Sequence, residues 1–150
     1  MLTVASLFDR VSTALGGLSG WYPSRHGFEE FARVPDGAER SHQSFVVAVP
    51  SSVPLAGRQP LSSSVGTMHR SELAVRWLYR LRVEDRVGDM ALALAAEATL
   101  RNAVLATGPN PDLRIALAPE GATRQELDPS TGPMLLGELR FLVRHAIPLA

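Results

Sequence analysis

The four histidines of this chain are the residues best suited to acid–base chemistry or to binding a metal. A helical metal site needs two histidines three or four positions apart, and no two of these histidines have that spacing. His145 falls at an apolar-facing position of a strongly alternating segment, and we interpret it as a hydrogen-bonded structural residue. Cysteine is absent, which excludes thiolate catalysis, cysteine-ligated zinc and disulfide bonds.

The serines, glycines and adjacent carboxylates form no recognised catalytic motif. A Gly-x-Ser-x-Gly elbow is missing, and a phosphate loop of the Gly-x4-Gly-Lys type is impossible because the chain contains no lysine. Neighbouring carboxylates such as Glu29 and Glu30 usually point apart, so we interpret them as solvated. We therefore predict no catalytic, cofactor-binding or metal-binding residues and no cofactor. An enzyme that uses His69 or His145 is the least favoured hypothesis.

Arginine supplies all 15 basic residues, and equal numbers of acidic residues give a formal net charge of zero. Residues 72–83 and 138–147 alternate between apolar and polar side chains, and each segment places arginines on one side. If the two segments are neighbouring strands, several guanidinium groups lie close together. Three interpretations stay open: a solvated face screened by salt, a surface for carboxylates of a second subunit, and a nucleic-acid groove. The hypothesis of a subunit interface names Arg58, Glu72, Arg76, Arg80, Arg82, Glu138, Arg140 and Arg144.

The first half of the chain has one clear helix and one very clear strand. Residues 3–15 place apolar side chains on one helical face, and Gly16-Gly17 can end this helix. Residues 18–43 are predicted to be irregular, residues 45–49 a short covered strand, and residues 50–66 a loop rich in proline and serine. Strict alternation over residues 72–83 predicts a long, half-buried strand.

The second half continues with a helix and two strands. Ala and Leu dominate residues 90–106, and Asp89 is a candidate N-cap for the helix they predict. Residues 113–118 and 138–147 alternate as strands that can pair antiparallel across a loop at 119–133. We predict an α+β fold: one domain with a mainly antiparallel four-stranded sheet and two helices packed on one face.

Composition limits the class of protein further. The chain has 150 residues and 45% apolar residues, enough for a single core. It has no apolar run of membrane-spanning length and no basic segment before a long apolar stretch at its start, so we expect cytosolic assembly and no membrane partner.

The order of these elements resembles the tail terminators of long-tailed bacteriophages, the family related to minor tail protein U. The resemblance rests on an N-terminal amphipathic helix, a strand like FVVAVP, a long strand like ELAVRWLYRLRV, a helix like GDMALALAAEATLRNAVL and a final strand like GELRFLVRHAIPL. It covers most of residues 1–17 and 44–150 and is one of pattern and order. Residues 18–43 and 50–66 are longer than the family pattern.

The resemblance implies a homo-oligomeric ring, a hexamer in this family, that caps the tail tube and ends its polymerisation. It implies two partners, the tail tube protein and a head-completion (stopper) protein, and a place in the tail or neck of the virion after assembly in the host cytoplasm. DNA would pass through the ring without sequence-specific binding. Another neck or tail-completion protein stays an alternative. A small α+β module that binds nucleic acid or a ligand is a further one, motivated by Trp21, Tyr22 and the arginines.

Overall fold

The computed structural model describes residues 4–32, 42–54, 67–107, 116–128 and 132–147. Arg58 and most of the predicted loop 50–66 lie outside these residues. In chain order the elements are α1 (Val4–Gly16), β1 (Tyr22–Pro23), α2 (Phe28–Ala32), β2 (Ser44–Pro54), β3 (Thr67–Arg80), a 3-10 turn (Val83–Asp85), α3 (Arg86–Ala106), β4 (Ala116–Leu127) and β5 (Met134–Ile147).

The five strands form one mixed sheet in the order β1-β2-β3-β5-β4. The two-residue strand β1 pairs parallel with β2, and every other pairing is antiparallel. The longest ladder joins β3 to β5 without a register shift, from Thr67 opposite Ile147 to Arg80 opposite Met134. The predicted α+β class and the antiparallel pairing of the last two strands are confirmed, and β1 is the strand that the sequence did not indicate.

The main core lies between the sheet and the two longer helices. Helix α1 contributes Leu7, Val11 and Leu15, which recur every four residues and therefore share one face. They pack with α3 residues such as Leu100 and with the inward-facing side chains of β3 and β5 such as Phe141. Each of these fully buried side chains contributes about 1.5–3 kcal/mol before entropy is subtracted. We call this side the inner face of the sheet.

A third helix covers part of the opposite, outer face of the sheet. Phe31 of α2 is fully buried against Leu78 of β3 and Met134 of β5, which form a second, smaller core. The two predicted helices, α1 and α3, both cover the inner face, and the prediction is corrected in one respect: the five-residue α2 covers one end of the outer face. A helix of five residues is too short to produce a readable periodicity in sequence.

Two predicted loops are partly strands. Residues 50–54 continue β2 beyond a register shift between Ala48 and Ser51. Residues 119–127 belong to β4, which pairs with β5 from Ala116 to Leu127. Pro119 and Gly121 suggest a turn in sequence, but in the structure they flank a bulge in a strand at the edge of the sheet, where proline is tolerated.

The predicted boundaries of β3 and α3 are also corrected. Strand β3 ends at Arg80 and not at Val83, because the chain turns there into the 3-10 turn. Helix α3 begins at Arg86, and its N-cap is Asp85, whose carboxylate accepts a hydrogen bond from the Gly88 amide at 3.2 Å. Asp89, the predicted cap, lies inside the first turn and is buried.

Candidate functional site

The outer faces of β3 and β5 carry the arginines and glutamates that the sequence singled out. We call this surface the arginine face; its members are Arg70, Glu72, Arg76, Glu138, Arg140 and Arg144. The β3–β5 register sets Arg76 directly opposite Glu138 and sets Arg140 opposite the small residue Ala74. Alternation therefore selects the face, and the register decides which charges meet.

An ion-pair network links four of these residues within the chain. Arg140 donates from Nε to Glu138 Oε2 at 2.7 Å and from Nη1 to Glu72 Oε2 at 2.9 Å. Arg76 donates from Nε to Glu138 Oε1 at 2.8 Å, so Glu138 binds a different arginine with each carboxylate oxygen. Charge-assisted bonds of this kind are short and strongly directional.

The network shifts the pKa values of Glu138 and Arg140. Burial by itself raises the pKa of the Glu138 carboxyl, but hydrogen bonds from Arg140 and Arg76 outweigh burial and leave that pKa below its usual range. The hydrogen bond to Glu138 likewise raises the pKa of Arg140. These groups are therefore charged together throughout the neutral range.

Helix α2 fixes Arg76 from the other side. The Phe28 carbonyl accepts a hydrogen bond from Arg76 Nη1, and the guanidinium carbon lies 3.7 Å from the centroid of the Phe28 ring. Only 17% of the Arg76 side chain is exposed. Arg76 thus holds α2 on the sheet, and the carboxylates that satisfy Arg76 and Arg140 come from the same chain and not from a second subunit.

Two further arginines lie at the other end of the face. Arg70 and Arg144 are directly opposite each other in the β3–β5 ladder, an unfavourable arrangement for like charges. Arg70 reaches Glu120, at the bulge of β4, with Nη2 to Oε1 at 2.8 Å. Arg144 is exposed and presents its charge to solvent. This end of the arginine face is where an outside carboxylate can bind.

The remaining predicted residues are Arg82, Arg80 and Arg58. Arg82 follows the end of β3, and its guanidinium binds the buried carboxylate of Asp89 at 2.9 Å. This pairing, with the hydrogen bond as the largest cause, lowers the pKa of Asp89. The amide of Arg80 donates to His42 Nδ1 at 3.1 Å. Arg58 lies outside the described residues.

One ion pair on the inner face was missed. Glu97 of α3 is buried on the side of the helix that faces the main core. Its Oε2 accepts a hydrogen bond from Nε of Arg124 in β4 at 2.9 Å. The hydrogen bond to Glu97 raises the pKa of Arg124. The sequence did contain a signal, because Glu97 interrupts the apolar stripe formed by Met90, Ala93, Leu100 and Val104.

A shallow depression of about 450 Å³ adjoins the arginine face on the side of β4. Residues Thr123, Gln125 and Leu136 line it together with Arg76 and Glu138. Thr123 lies opposite Glu138 in the β4–β5 ladder, but Arg76 and Arg140 bind the two oxygens of this carboxylate. Within the described part of the chain, no three acidic or histidine side chains are grouped so that they could hold a metal ion. No helix among those residues is long and apolar enough to cross a membrane.

Comparison with known proteins adds no relative. No protein-family model matches this chain, and no curated protein matches its sequence. The chemistry of the arginine face is therefore read from its own geometry. Carboxylates alternate with guanidinium groups there, and Arg76 and Arg140 already bind Glu72 and Glu138, so a protein surface with its own mixed charges can match this pattern.

Proposed function

We propose that this protein is a structural assembly protein of the bacteriophage tail terminator type. In this proposal, copies of the chain form a ring, a hexamer, that caps the tail tube protein and stops its polymerisation. The ring then joins the tail to a head-completion protein in the neck of the virion. Its role is to make protein contacts, and DNA passes through the ring without being read.

The element order of the sheet is the observation that carries this proposal. An N-terminal helix, strand β2, the long strand β3, helix α3 and the pair β4–β5 follow one another in the order that the resemblance implies. The 14-residue strands β3 and β5 form a rigid ladder that presents the arginine face in one plane. A rigid, mixed-charge surface suits a contact that must be repeated identically around a ring.

Closure of the ring distinguishes this function from filament formation. A head-to-tail contact between unlike surfaces gives a ring when its rotation closes and an open helix when it does not. A terminator needs a closed ring, because an open helix would continue the tube instead of ending it. The exposed end of the arginine face around Arg144 is one of the two unlike surfaces that such a contact requires.

The direct test is to measure the assembly of the purified protein and its effect on tail tubes. Native mass spectrometry and electron microscopy should show closed rings, and adding the protein to polymerising tube protein should shorten the tubes and place a ring at one end. A protein that is monomeric at every concentration and leaves tube length unchanged would overturn the proposal.

A matched pair of charge reversals locates the contact. Arg144→Glu changes an exposed cation of the arginine face and should reduce ring formation at least tenfold, while the circular dichroism spectrum stays unchanged. Arg10→Glu makes the same change at an exposed position of α1 and should leave rings intact. If both variants form rings equally well, the arginine face is not part of the contact between ring subunits.

A further inference from the structure

Helix α3 and the turn before it carry an unusual amount of exposed apolar surface. Among the described residues, four of the five exposed large apolar side chains lie within twelve positions of one another, and Tyr22 is the fifth. The four are Val83 (74% exposed), Val87 (85%), Leu92 (54%) and Leu94 (40%). Scattered single residues of this kind are ordinary, but a contiguous group marks an interaction surface.

Helical spacing puts most of this group on one line. We call Val83, Val87, Ala91, Leu94 and Ala98 the α3 seam; its four members within α3 follow one another at intervals of four, three and four residues, and Val83 lies in the 3-10 turn just before the helix. This spacing is typical of helices that pack against another helix. The alanines allow a close approach, and Val87 and Leu94 provide larger side chains on either side of them.

The polarity of α3 is reversed relative to a helix that faces water. Its acidic residues Asp89 and Glu97 are buried and bound to Arg82 and Arg124, while the seam bears no charge from Val87 to Ala98. Arg86, at the start of the helix, binds Glu126 of β4 and Asp128 just after that strand. A helix that is apolar on both sides is normally buried on both sides.

The charges at the two ends of the seam indicate what covers it. Glu84 is exposed beside Val83 at one end, and Arg101, seven residues after Leu94 and therefore on the same side of the helix, lies at the other. An antiparallel partner helix of the same sequence would bring its Arg101 toward Glu84 and its Glu84 toward Arg101. A parallel partner would instead set like charges side by side.

We propose that in the free protein the α3 seam packs antiparallel against the α3 seam of a second copy. The two-fold axis crosses the helix pair midway between positions 92 and 93, so that Val87 lies across from Ala98 of the second copy, Ala91 across from its Leu94 and Glu84 across from its Arg101. The contact is self-complementary and isologous, and it removes Val83, Val87 and Leu94 from water.

This two-fold contact is independent of the proposed ring. A ring closed by rotation joins unlike surfaces, whereas the α3 seam pairs with itself. It therefore acts in the unassembled protein, or between two rings, and it uses no residue of the arginine face. Arg144→Glu should leave the α3 pair intact, so loss of the ring and loss of the pair are separate results.

Cysteine substitution tests the geometry, since the chain has no cysteine that would give a background. Ala91→Cys, the small seam residue nearest the axis, should form a disulfide-linked dimer on mild oxidation. Val87→Cys should not link to itself, because the two copies of this residue are about 16 Å apart along the helix, eleven residues at about 1.5 Å each. A mixture of Val87→Cys and Ala98→Cys should form the mixed dimer.

Each other pattern of crosslinks overturns the proposal. Self-linking of Val87→Cys shows a parallel arrangement, and failure of Ala91→Cys to link while the protein still dimerises places the contact elsewhere. A monomer by sedimentation at all concentrations, with no crosslink at either position, shows that a different protein or no protein covers the seam.

Substitutions on the seam give a second, quantitative readout. Leu94→Asp should raise the dimer dissociation constant at least tenfold with an unchanged helical spectrum, because this side chain is already partly exposed. Thr99→Asp is the matched control on an exposed side of α3 away from the seam and should leave the constant within about twofold. Arg101→Glu should weaken the dimer, and adding Glu84→Arg should restore it; absence of that rescue contradicts the antiparallel arrangement.

Discussion

Trp77 of β3 lies directly opposite Gly137 of β5, and its indole occupies the space into which a β-carbon at position 137 would project. Trp77 is fully buried in the main core and meets Trp21 edge-to-face, with ring centroids 6.3 Å apart. The Trp77 Nε1 hydrogen has no hydrogen-bond partner among the described residues. The glycine thus makes room for the largest side chain of the core, near the Arg80 end of the longest ladder.

Gly137→Ala should therefore destabilise the protein by about 1–3 kcal/mol, since the added methyl group must displace a rigid indole inside a packed core. Urea unfolding followed by tryptophan fluorescence measures the change. Gly121→Ala is the control, because a β-carbon at that exposed position meets nothing within 4 Å. If both variants unfold at the same urea concentration, the close packing of Trp77 on Gly137 is wrong.

The buried ion pair of Glu97 and Arg124 makes a second prediction about stability. The Glu97 side chain is 2% exposed and that of Arg124 is 39% exposed, so water reaches only the arginine. Arg124→Met leaves a buried carboxylate without its partner and should cost about 2–3 kcal/mol, toward the lower end for such pairs because of that exposure.

Replacing both residues measures the net contribution of the ion pair to the free energy of unfolding, apart from the cost of leaving one charge unpaired. Glu97→Met together with Arg124→Met should recover most of the stability lost in Arg124→Met, because two apolar side chains of similar length leave no unpaired charge. Thermal unfolding of the two single variants and the double variant completes the cycle. A double variant as unstable as the Arg124→Met protein would show that the carboxylate is not what makes that variant unstable.

How much of this structure the sequence predicts depends on whether a local pattern or a tertiary register carries the information. The helix at residues 3–15 and the strand at 72–83 were predicted because their periods of 3.6 and 2 are unambiguous over more than ten residues. Strand β4 was missed over residues 119–127, because Pro119 and Gly121 produce the same local signal in a bulge as in a turn.

The charged residues show the same division more sharply. Alternation correctly placed Arg76 and Arg140 on one face with Glu138, but only the register of β3 on β5 tells which of them meet. One of the three interpretations of these cations was that they bind carboxylates of another subunit, whereas the register supplies carboxylates to Arg76 and Arg140 within the chain. Arg82 was misplaced because nothing local marks Arg80 as the last residue of β3.

The carboxyl of Glu138 should make stability depend on pH in the acid range. Its pKa in the folded protein lies below the value of about 4.3 expected in the unfolded chain. The unfolded state therefore binds a proton first, so this contribution is present above about pH 4.3 and is lost as the pH falls through the folded pKa. Glu138→Gln should be less stable than the natural chain at pH 7 and should lose less stability between pH 6 and pH 3. Urea midpoints across this range measure both, and parallel curves for the two proteins would contradict the ion-pair network.

His42 should make stability depend on pH nearer neutrality. Partial burial and then the charge of Arg80 lower the pKa of His42, while Asp89 acts in the opposite direction. The His42 Nδ1 accepts a hydrogen bond from the Arg80 amide, so protonation of Nδ1 must break that hydrogen bond. The centroids of the His42 and Tyr79 rings are 4.4 Å apart.

The lowered pKa of His42 determines the direction in which stability changes with pH. The unfolded chain takes up the proton near pH 6.5, before the folded protein does, so the stability that depends on neutral His42 is complete above pH 6.5 and declines as the pH falls through the folded value. His42→Asn, whose side-chain oxygen can still accept from the Arg80 amide, should show a flatter dependence between pH 7.5 and pH 5. An NMR titration of the His42 ring measures the pKa directly, and a value above 6.5 in the folded protein would show that Nδ1 does not accept this hydrogen bond.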